Sequence, residues 1–352
     1  MLNLLLTLAI GALGGLLAKK GKVPGGLLIG AMLSVSIANV CFPFAEAIRW
    51  TKTATQILAG AFSGCVIKKE ELKRIPDTIG PILLVIVTFL ITDVLVSLFF
   101  SRVLSMSFIT ASFSLIPGSA TNTPILAEEY GAKVSTVAVL QIVRLFAGVG
   151  LFPLIIQAVG KRAGDLDGGP VAAQGGAGIR RAEAVSCKSV DVLITLAAAT
   201  ALGLFGDFIG FPGGALVFSM VAVIGLQMIR GNACLPKWIK SAAQVMCGSY
   251  IGALITREDI LNLMSLAIPA LLMVLVYSAD CFLLGWLLKR IHRYKMSEGM
   301  LMAIPAGASD ILLIASDVGI EDADIVIVHI VRAIAAASLF PVVMGFLNNY
   351  LG

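Results

Sequence analysis

The sequence predicts an all-α polytopic membrane protein built from two inverted-topology repeats. Composition, a long-range duplication and the distribution of basic residues between loops predict this fold. Of the 352 residues, 58% are hydrophobic and only 13% are charged, and the mean hydropathy is +0.97. A water-soluble chain of this length needs far more polar surface. Apolar runs of helical length recur without strand-like alternation, which favours membrane helices over a β-barrel.

The duplication is found by comparing each residue with the residue 188 positions later. Without any gap, 39 of the 164 compared positions are identical, and they include Pro117 with Pro305 and Arg144 with Arg332. Chance similarity between Leu-rich helices would not align Pro, Gly and Arg residues in one register. The segment between the copies is rich in Gly and Ala, which is typical of a flexible linker. The predicted organisation is a first membrane repeat at 1–159, a flexible cytoplasmic linker at 160–188 and a second membrane repeat at 189–352.

Each repeat contains six apolar segments. In the first repeat they span about 2–18, 24–42, 54–67, 79–100, 107–127 and 134–159. In the second they span about 189–206, 212–229, 242–255, 267–288, 296–315 and 323–347. The third segment of each repeat is short for a membrane crossing, which takes about 20 residues. The first segment lacks the basic start of a signal peptide, so we expect it to be retained as a helix.

Lysine and arginine residues are distributed in opposite ways in the two repeats. The loops after the first and third segments hold seven of them in the first repeat and one in the second. The loops after the second and fourth segments hold three lysine and arginine residues in the first repeat and seven in the second. The positive-inside rule therefore predicts that the second repeat is inverted relative to the first. Inversion needs an odd number of crossings, so we expect about five transmembrane helices per repeat plus a broken or re-entrant fifth segment, with both termini outside.

The fifth segment of each repeat is interrupted by proline and followed by small polar residues. Broken backbone cannot face lipid without leaving unsatisfied polar groups, so these breaks must line a protein cavity. Interrupted helices at matching positions of inverted repeats indicate a transporter site near the membrane midplane. The alternative is that the breaks are packing kinks that allow close helix contact. The candidate binding residues at the breaks are Pro117, Gly118, Ser119, Asn122, Thr123, Pro305, Gly307, Ser309 and Asp310.

The sixth segment of each repeat carries a charge, Arg144 in the first and Arg332 in the second. A charge at the bilayer centre costs about 2.5–3.5 kcal/mol on insertion scales, so it must be paired or face water. One interpretation is an anion or proton pathway. The other is a structural ion pair with a carboxylate such as Asp93, Asp280 or Asp310.

Two further polar residues, Gln141 and His329, precede the arginines by three positions and so lie on nearly the same helix face. We include both as site candidates: His329 either shuttles a proton or packs through hydrogen bonds. Asp310 follows the second break directly, so we expect this carboxylate to titrate or to bind a cation. Glu128 and Glu129 lie at a segment end and are interpreted as solvated caps.

Residues for cofactor or covalent chemistry are few. The chain has two histidines, and its six cysteines show no C-x-x-C spacing, so we interpret the cysteines as small buried apolar residues. Phosphate-binding loops and nucleophile elbows are absent from the sequence. The basic residues lie in short interhelical loops, which does not favour nucleic acid as a partner. We therefore expect no enzymatic activity, no cofactor and no metal site.

The doubled block resembles the membrane AbrB family over nearly the whole chain apart from the linker. In the first copy the matching residues are Pro117-Gly118, Leu126-Ala127-Glu128-Glu129, Gly131-Ala132, Val137-Ala138, Gln141 and Arg144. The resemblance implies a multi-pass protein of the bacterial inner membrane, in a family labelled as regulators or as ammonia monooxygenases. Two positions depart from the family pattern: Ser119 follows Pro-Gly where a second glycine is frequent, and His329 replaces glutamine.

Three functions are compatible with these observations. The leading hypothesis is a secondary transporter for a small polar solute, with an anion favoured by the two arginines, coupled to H⁺ or Na⁺. The alternative is a membrane regulatory protein that influences gene expression through a partner. A membrane oxidoreductase is the third, although two histidines cannot build a copper site of His ligands. The expected partners are the lipid bilayer, the solute and the coupling ion, and a homo-oligomer is compatible with the sequence.

Overall fold

Every regular element that the structure describes is a helix. The structure is a computed structural model and describes residues 2–21, 25–42, 44–45, 48–66, 74–163, 187, 189–305 and 323–351. A π-helical segment, Ala147–Leu151, joins α7 to α8, and a 3-10 turn, Leu263–Leu266, precedes α13. The helices are α1 (Leu2–Lys20), α2 (Gly26–Cys41), α3 (Arg49–Val66), α4 (Ile79–Val103), α5 (Phe108–Leu115), α6 (Asn122–Glu129), α7 (Val134–Phe146), α8 (Phe152–Ala163), α9 (Ser189–Ile209), α10 (Gly214–Arg230), α11 (Lys237–Leu254), α12 (Arg257–Leu261), α13 (Ala267–His292), α14 (Met296–Ala303) and α15 (Ala323–Leu351).

Six helical stretches in the described part of the chain are long and apolar enough to cross a membrane. They are α1, α4, α7 with α8, α9, α13 with its preceding turn, and α15. Helices α2 and α10 are apolar but shorter. On α4, one stripe of large apolar residues at four-residue spacing is 47–61% exposed, as expected of a face that contacts lipid: Leu83, Val87, Ile91, Leu95 and Phe99. The predicted class of an all-helical membrane protein is confirmed at this level.

The chain forms two compact units, and each unit takes residues from both halves of the sequence. Unit 1 comprises Met1–Lys69, Ala120–Ile142 and Ser186–Ala267. Unit 2 comprises Glu70–Ser119, Val143–Val185 and Ile268–Gly352. Unit 1 therefore holds α1–α3, α6, most of α7 and α9–α12, and unit 2 holds α4, α5, α8 and α13–α15.

Helices in unit 1 approach each other closely at glycines. Helix α3 packs against α9, α10 and α11, and α11 packs against α1 and α2. A Cβ atom added to Gly60 would lie 2.3 Å from the carbonyl oxygen of Leu216, and one added to Gly248 would lie 2.4 Å from that of Leu28. Both distances are far inside van der Waals contact, so only glycine permits this spacing of the helix backbones.

The predicted interruption of the fifth segment in the first repeat is present. Helix α5 ends at Leu115 and α6 begins at Asn122. Ile116, the residue before Pro117, has φ −56° and ψ 123°. This extended conformation follows from the proline ring, which crowds the helical conformation of the preceding residue. The proline therefore ends α5 and leaves its last carbonyl groups without helical partners.

The second repeat shows the beginning of the same feature. Helix α14 ends at Ala303, and Ile304, before Pro305, has φ −59° and ψ 129°. The remaining candidates at this break, Gly307, Ser309 and Asp310, lie outside the described residues. The two prolines thus produce the same backbone conformation in the two halves of the chain.

The cysteines correct one interpretation made from the sequence. Cys187 and Cys234 of unit 1 form a disulfide, with their Cα atoms 6.0 Å apart, so they are not isolated apolar residues. Cys247 and Cys281 are buried and free, as expected, whereas Cys41 is exposed. Sequence spacing missed the pair because its members lie 47 residues apart and only the fold brings them together.

Candidate functional site

In unit 2, Arg144 binds the end of the broken helix α5. Its guanidinium is only 2% exposed and donates from Nη1 to the Ile116 carbonyl at 2.8 Å and from Nη2 to the Gly118 carbonyl at 2.5 Å. The Tyr277 hydroxyl of α13 donates to the Leu115 carbonyl and also hydrogen-bonds Arg144. A planar guanidinium with fixed donors suits two nearby carbonyls beyond a helix end, and the Ile116 carbonyl also accepts from the Gly118 amide at 2.7 Å. Side chains therefore complete the hydrogen bonding of the break.

Arg332 makes the equivalent contact at the second break. It is 2% exposed and donates from Nη1 to the Ile304 carbonyl at 2.6 Å. Its Nη2 lies 2.9 Å from Nδ1 of His329, whose Nε2 lies 2.9 Å from the Leu301 carbonyl. A carbonyl only accepts, so Nε2 of His329 carries the proton and Nδ1 accepts from Arg332. This assigns a neutral imidazole that supports the arginine.

The partners of Arg144 bear on the ion pair that is one of the two interpretations made from the sequence. Among the described residues, its guanidinium binds backbone carbonyls and Tyr277, and it forms no ion pair with Asp93 or Asp280. The charge of Arg144 is therefore stabilised mainly by the negative ends of peptide dipoles at the end of a helix. An ion pair with Asp93 or Asp280, one alternative left open by the sequence, is therefore not formed, and Asp310, the third carboxylate of that alternative, lies outside the described residues.

Two buried carboxylates in unit 2 were not among the predicted site residues. Asp93 on α4 is 2% exposed, and its Oδ1 accepts from the Ser97 hydroxyl at 3.1 Å. Asp280 on α13 is 5% exposed, and its Oδ1 accepts from the Thr92 hydroxyl at 2.9 Å. The Oδ2 atom of each is buried without a hydrogen-bond partner among the described residues. Asp93 could have been predicted from the sequence, because an acidic residue within the most apolar described span is unusual and indicates a functional position.

Tyr277 links these groups electrostatically. Its hydroxyl lies within electrostatic range of Arg144, Asp93 and Asp280, and Arg332 lies within that range of Arg144 and Tyr277. We call Asp93, Arg144, Tyr277, Asp280 and Arg332 the Tyr277 cluster. It contains two cationic and two acidic side chains, so its formal charge is zero when both carboxylates are ionised.

The remaining described candidates divide between the units. Asn122, Thr123 and Gln141 are buried in unit 1, with exposures of 7%, 3% and 0%. In unit 2, Gly118 is half-buried and Ser119 is exposed. The structure thus brings Arg144 to the Pro117-Gly118 break, and it places Asn122, Thr123 and Gln141 in the other compact unit.

Glu128 and Glu129 are structural anchors of unit 1 and not solvated caps. Lys52 Nζ lies 3.2 Å from Glu128 Oε2 and 3.3 Å from Glu129 Oε1. Tyr250 donates its hydroxyl to Glu128 at 2.8 Å. Glu129 also accepts from the Gly213 amide at the N-terminus of α10, where the helix dipole favours a negative charge. No sequence pattern indicates these partners, which come from α3, α11 and the start of α10.

Comparison with known proteins places nearly the whole chain in one family. Residues 27–348 match the family model described as "Transition state regulatory protein AbrB". An Escherichia coli (strain K12) protein named "Putative regulator AbrB" is 24% identical over 340 residues, which cover 93% of this chain and 91% of that protein. The family match includes both helix breaks and both buried arginines, in agreement with the resemblance found in the sequence. This chain therefore belongs to the AbrB family.

Proposed function

We propose that this protein is a secondary transporter of a small polar solute, with an anion favoured, coupled to H⁺ or Na⁺. The observation that carries the proposal is the pair of arginine-bound helix breaks in unit 2, at Ile116 and at Ile304. Interrupted helices with buried charges are characteristic of transporter sites, where freed backbone groups and ionisable side chains bind solute and ion. We further propose that the protein resides in the bacterial inner membrane, crosses it many times and has no catalytic activity.

Several contacts support the proposal that the two sequence repeats are related by a pseudo-two-fold axis. In such an arrangement, each contact has an equivalent contact elsewhere in the protein. The equivalent residues are found by adding 188 to a residue number in the first repeat and subtracting 188 from one in the second. Three sets of contacts obey this rule: Arg144–Ile116 with Arg332–Ile304, Gly60–Leu216 with Gly248–Leu28, and Thr92–Asp280, which is its own equivalent. Together with the opposite loop charges, they favour inverted repeats, the architecture in which transporters alternate access.

The inversion can be tested at one pair of equivalent turns. Ser105 and Arg293 are exposed, are 188 residues apart, and both have positive φ, 53° and 62°, in the loops after α4 and α13. Each is replaced by cysteine in a background without the six native cysteines and labelled with a membrane-impermeant maleimide in right-side-out and inside-out vesicles. Inverted repeats require opposite labelling patterns. Labelling of both positions from the same side would exclude the inversion.

Transport itself is tested in proteoliposomes with a panel of labelled metabolites that includes carboxylates, phosphates and neutral solutes. Uptake is measured with an imposed pH gradient, with a Na⁺ gradient and with neither. Arg144→Lys keeps the charge but loses the two-pronged contact with Ile116 and Gly118, so we expect at least a tenfold loss of uptake. Arg102→Lys, at the exposed end of α4, is the matched control and should transport normally. The absence of gradient-dependent flux for every solute, with monodisperse protein, would contradict the proposal.

A second candidate function is supported by the name of the Escherichia coli relative, which is that of a regulator. A membrane regulator would influence gene expression through a partner, without needing the buried arginines for solute movement. The discriminating experiment is a deletion strain complemented with the Arg144→Ala, Arg332→Ala double variant. A transcriptional phenotype that is rescued by this variant, at normal protein abundance, would favour regulation. Loss of rescue together with loss of uptake would favour transport.

A further inference from the structure

We propose that the Tyr277 cluster is a proton-binding site, in which Asp93 and Asp280 exchange protons with water and so set the charge of the cluster. This assigns the coupling ion as H⁺ and rests on the proposed transport function. In the binding step, a proton adds to a carboxylate oxygen and forms a neutral carboxylic acid. The reverse step returns the proton to water, and no other bond changes.

The first argument is the poor solvation of both carboxylates. An ionised carboxylate offers about four acceptor sites. Asp93 and Asp280 each use one oxygen, for a single hydroxyl donor, and the other oxygen is buried without a partner in the described structure. Neither makes an ion pair with a described side chain. A buried, unpaired anion is costly, and taking up a proton removes that cost.

The second argument is the position of Asp280. Its hydrogen-bond donor, Thr92, occupies the equivalent position in the other repeat, because the two residue numbers differ by 188. Exchanging the two repeats places Thr92 at the position of Asp280 and Asp280 at the position of Thr92. The pair is therefore its own equivalent and lies on the proposed pseudo-two-fold axis. Coupling-ion sites of transporters with inverted repeats lie near the midplane at the repeat interface. The Thr92–Asp280 pair therefore occupies the place where such a site is expected.

The surrounding groups favour a proton over a metal cation. Hard cations take about six or more oxygen ligands. Among the described residues, the polar partner of Asp93 is the Ser97 hydroxyl, and the partner of Asp280 is the Thr92 hydroxyl. One hydroxyl beside each carboxylate is too few ligands for a cation but is sufficient for a neutral carboxylic acid.

The charged and titratable groups around the two carboxylates come from three helices. Helix α13 contributes Tyr277 and Cys281, and α7 contributes Arg144. Helix α15, which packs against α4, contributes Arg332 and the histidine bound to it. Helix α5 also packs against α4 but carries no ionisable side chain. With both carboxylates protonated, the formal charge of the cluster rises from zero to +2, which attracts an anionic solute.

Tyr277 connects this change of charge to the helix break. Its hydroxyl binds the Leu115 carbonyl and Arg144, while interacting with Asp93 and Asp280. Proton binding removes the negative charges that act on Tyr277, and Tyr277 hydrogen-bonds Arg144, the group that binds Ile116 and Gly118. Protonation therefore acts on the contacts that hold the end of α5, which is how proton binding would be linked to the solute site.

The test is pH-difference infrared spectroscopy of the purified full-length protein in lipid. Spectra are compared above about pH 5, where exposed Asp and Glu side chains stay ionised. We expect a carboxylic-acid C=O band in the wild type that falls to about half in Asp93→Asn and in Asp280→Asn and disappears in the double variant. Asp207→Asn, which removes a partly exposed carboxylate of α9, should leave the band unchanged. Asp93→Glu, which should shift the band, provides a second variant if Asp93→Asn does not fold.

The outcomes separate this inference from the proposed function. A wild type without the band, or an unchanged band in the double variant, would overturn the proton site. If proton-driven uptake is nevertheless measured in proteoliposomes, the transport proposal stands and only this assignment fails. If the band behaves as expected but no solute is taken up, the proton site stands and the transport proposal fails.

Discussion

The replacement Arg144→Ala tests whether the guanidinium stabilises the helix break. The change removes the hydrogen bonds to the Ile116 and Gly118 carbonyls, at 2.8 and 2.5 Å, and the bond to the Tyr277 hydroxyl. Ile116 is fully buried, so water does not readily replace the lost donor at its carbonyl. We therefore expect the variant to unfold more easily than the wild type, with the loss localised in unit 2.

The expected loss in the free energy of unfolding follows from the number and type of hydrogen bonds that Arg144→Ala removes. Interhelical hydrogen bonds in membrane proteins contribute about 0.6 kcal/mol on average and up to about 1.7 kcal/mol. Removing two hydrogen bonds to backbone carbonyls should therefore lower the free energy of unfolding by about 1–3 kcal/mol. A change of 1 kcal/mol shifts the melting temperature by about 2–4 °C in chains of 150–250 residues, and by less in longer ones.

The assay is thermal stability by size-exclusion chromatography of detergent-solubilised protein heated to increasing temperatures. We expect Arg144→Ala to melt several degrees below the wild type, and Arg144→Lys to lie between them because one ammonium cannot reach both carbonyls. Arg102→Ala, at an exposed position, controls for the loss of a cation. Equal melting of Arg144→Ala and the wild type, or an equal loss in Arg102→Ala, would refute the assigned role.

Three further predictions concern unit 1. Gly248→Ala should destabilise the protein by about 1–3 kcal/mol, because the added Cβ would lie 2.4 Å from a backbone oxygen. The control, Gly225→Ala, has open space around it and should be neutral or stabilising by up to about 1 kcal/mol. Equal shifts in the melting temperatures of the two variants would contradict the close packing at Gly248. Lys52→Met should lower stability by about 1–3 kcal/mol, because it leaves two partly buried glutamates without their cation; an unchanged melting temperature would show that the pair is solvated. At Asp259, partial burial raises the pKa, but hydrogen bonds from Lys133 and from the Thr256 cap outweigh it and hold the pKa below its ordinary value. This carboxylate therefore stabilises the fold above its ordinary pKa and loses that effect as the pH falls through the lowered value, so the melting difference between wild type and Asp259→Asn should shrink in acid; a difference that grew in acid would contradict the assignment.

Local features of the fold were predictable because they depend on residues close together in the chain. Long apolar runs predict membrane helices from composition alone. Pro117 and Pro305 predict the ends of α5 and α14, because a proline restricts the residue before it whatever the surroundings. The comparison at a spacing of 188 residues also identifies Arg144 and Arg332 as equivalent residues.

What the sequence determined by itself is the class of the protein, the family resemblance, the first helix break and the presence of two buried arginines. The tertiary structure decided which atoms those arginines bind, whereas the sequence left a carboxylate open as one alternative. Both bind backbone carbonyls, Arg144 also binds Tyr277, and Arg332 also binds His329. The tertiary structure also places Asp93 and Asp280 in the same cluster and pairs Glu129 with Lys52. The physical reason is that helix propensity and hydropathy act over a few residues, whereas the partner of a buried charge is chosen by the packing of helices that are distant in the chain.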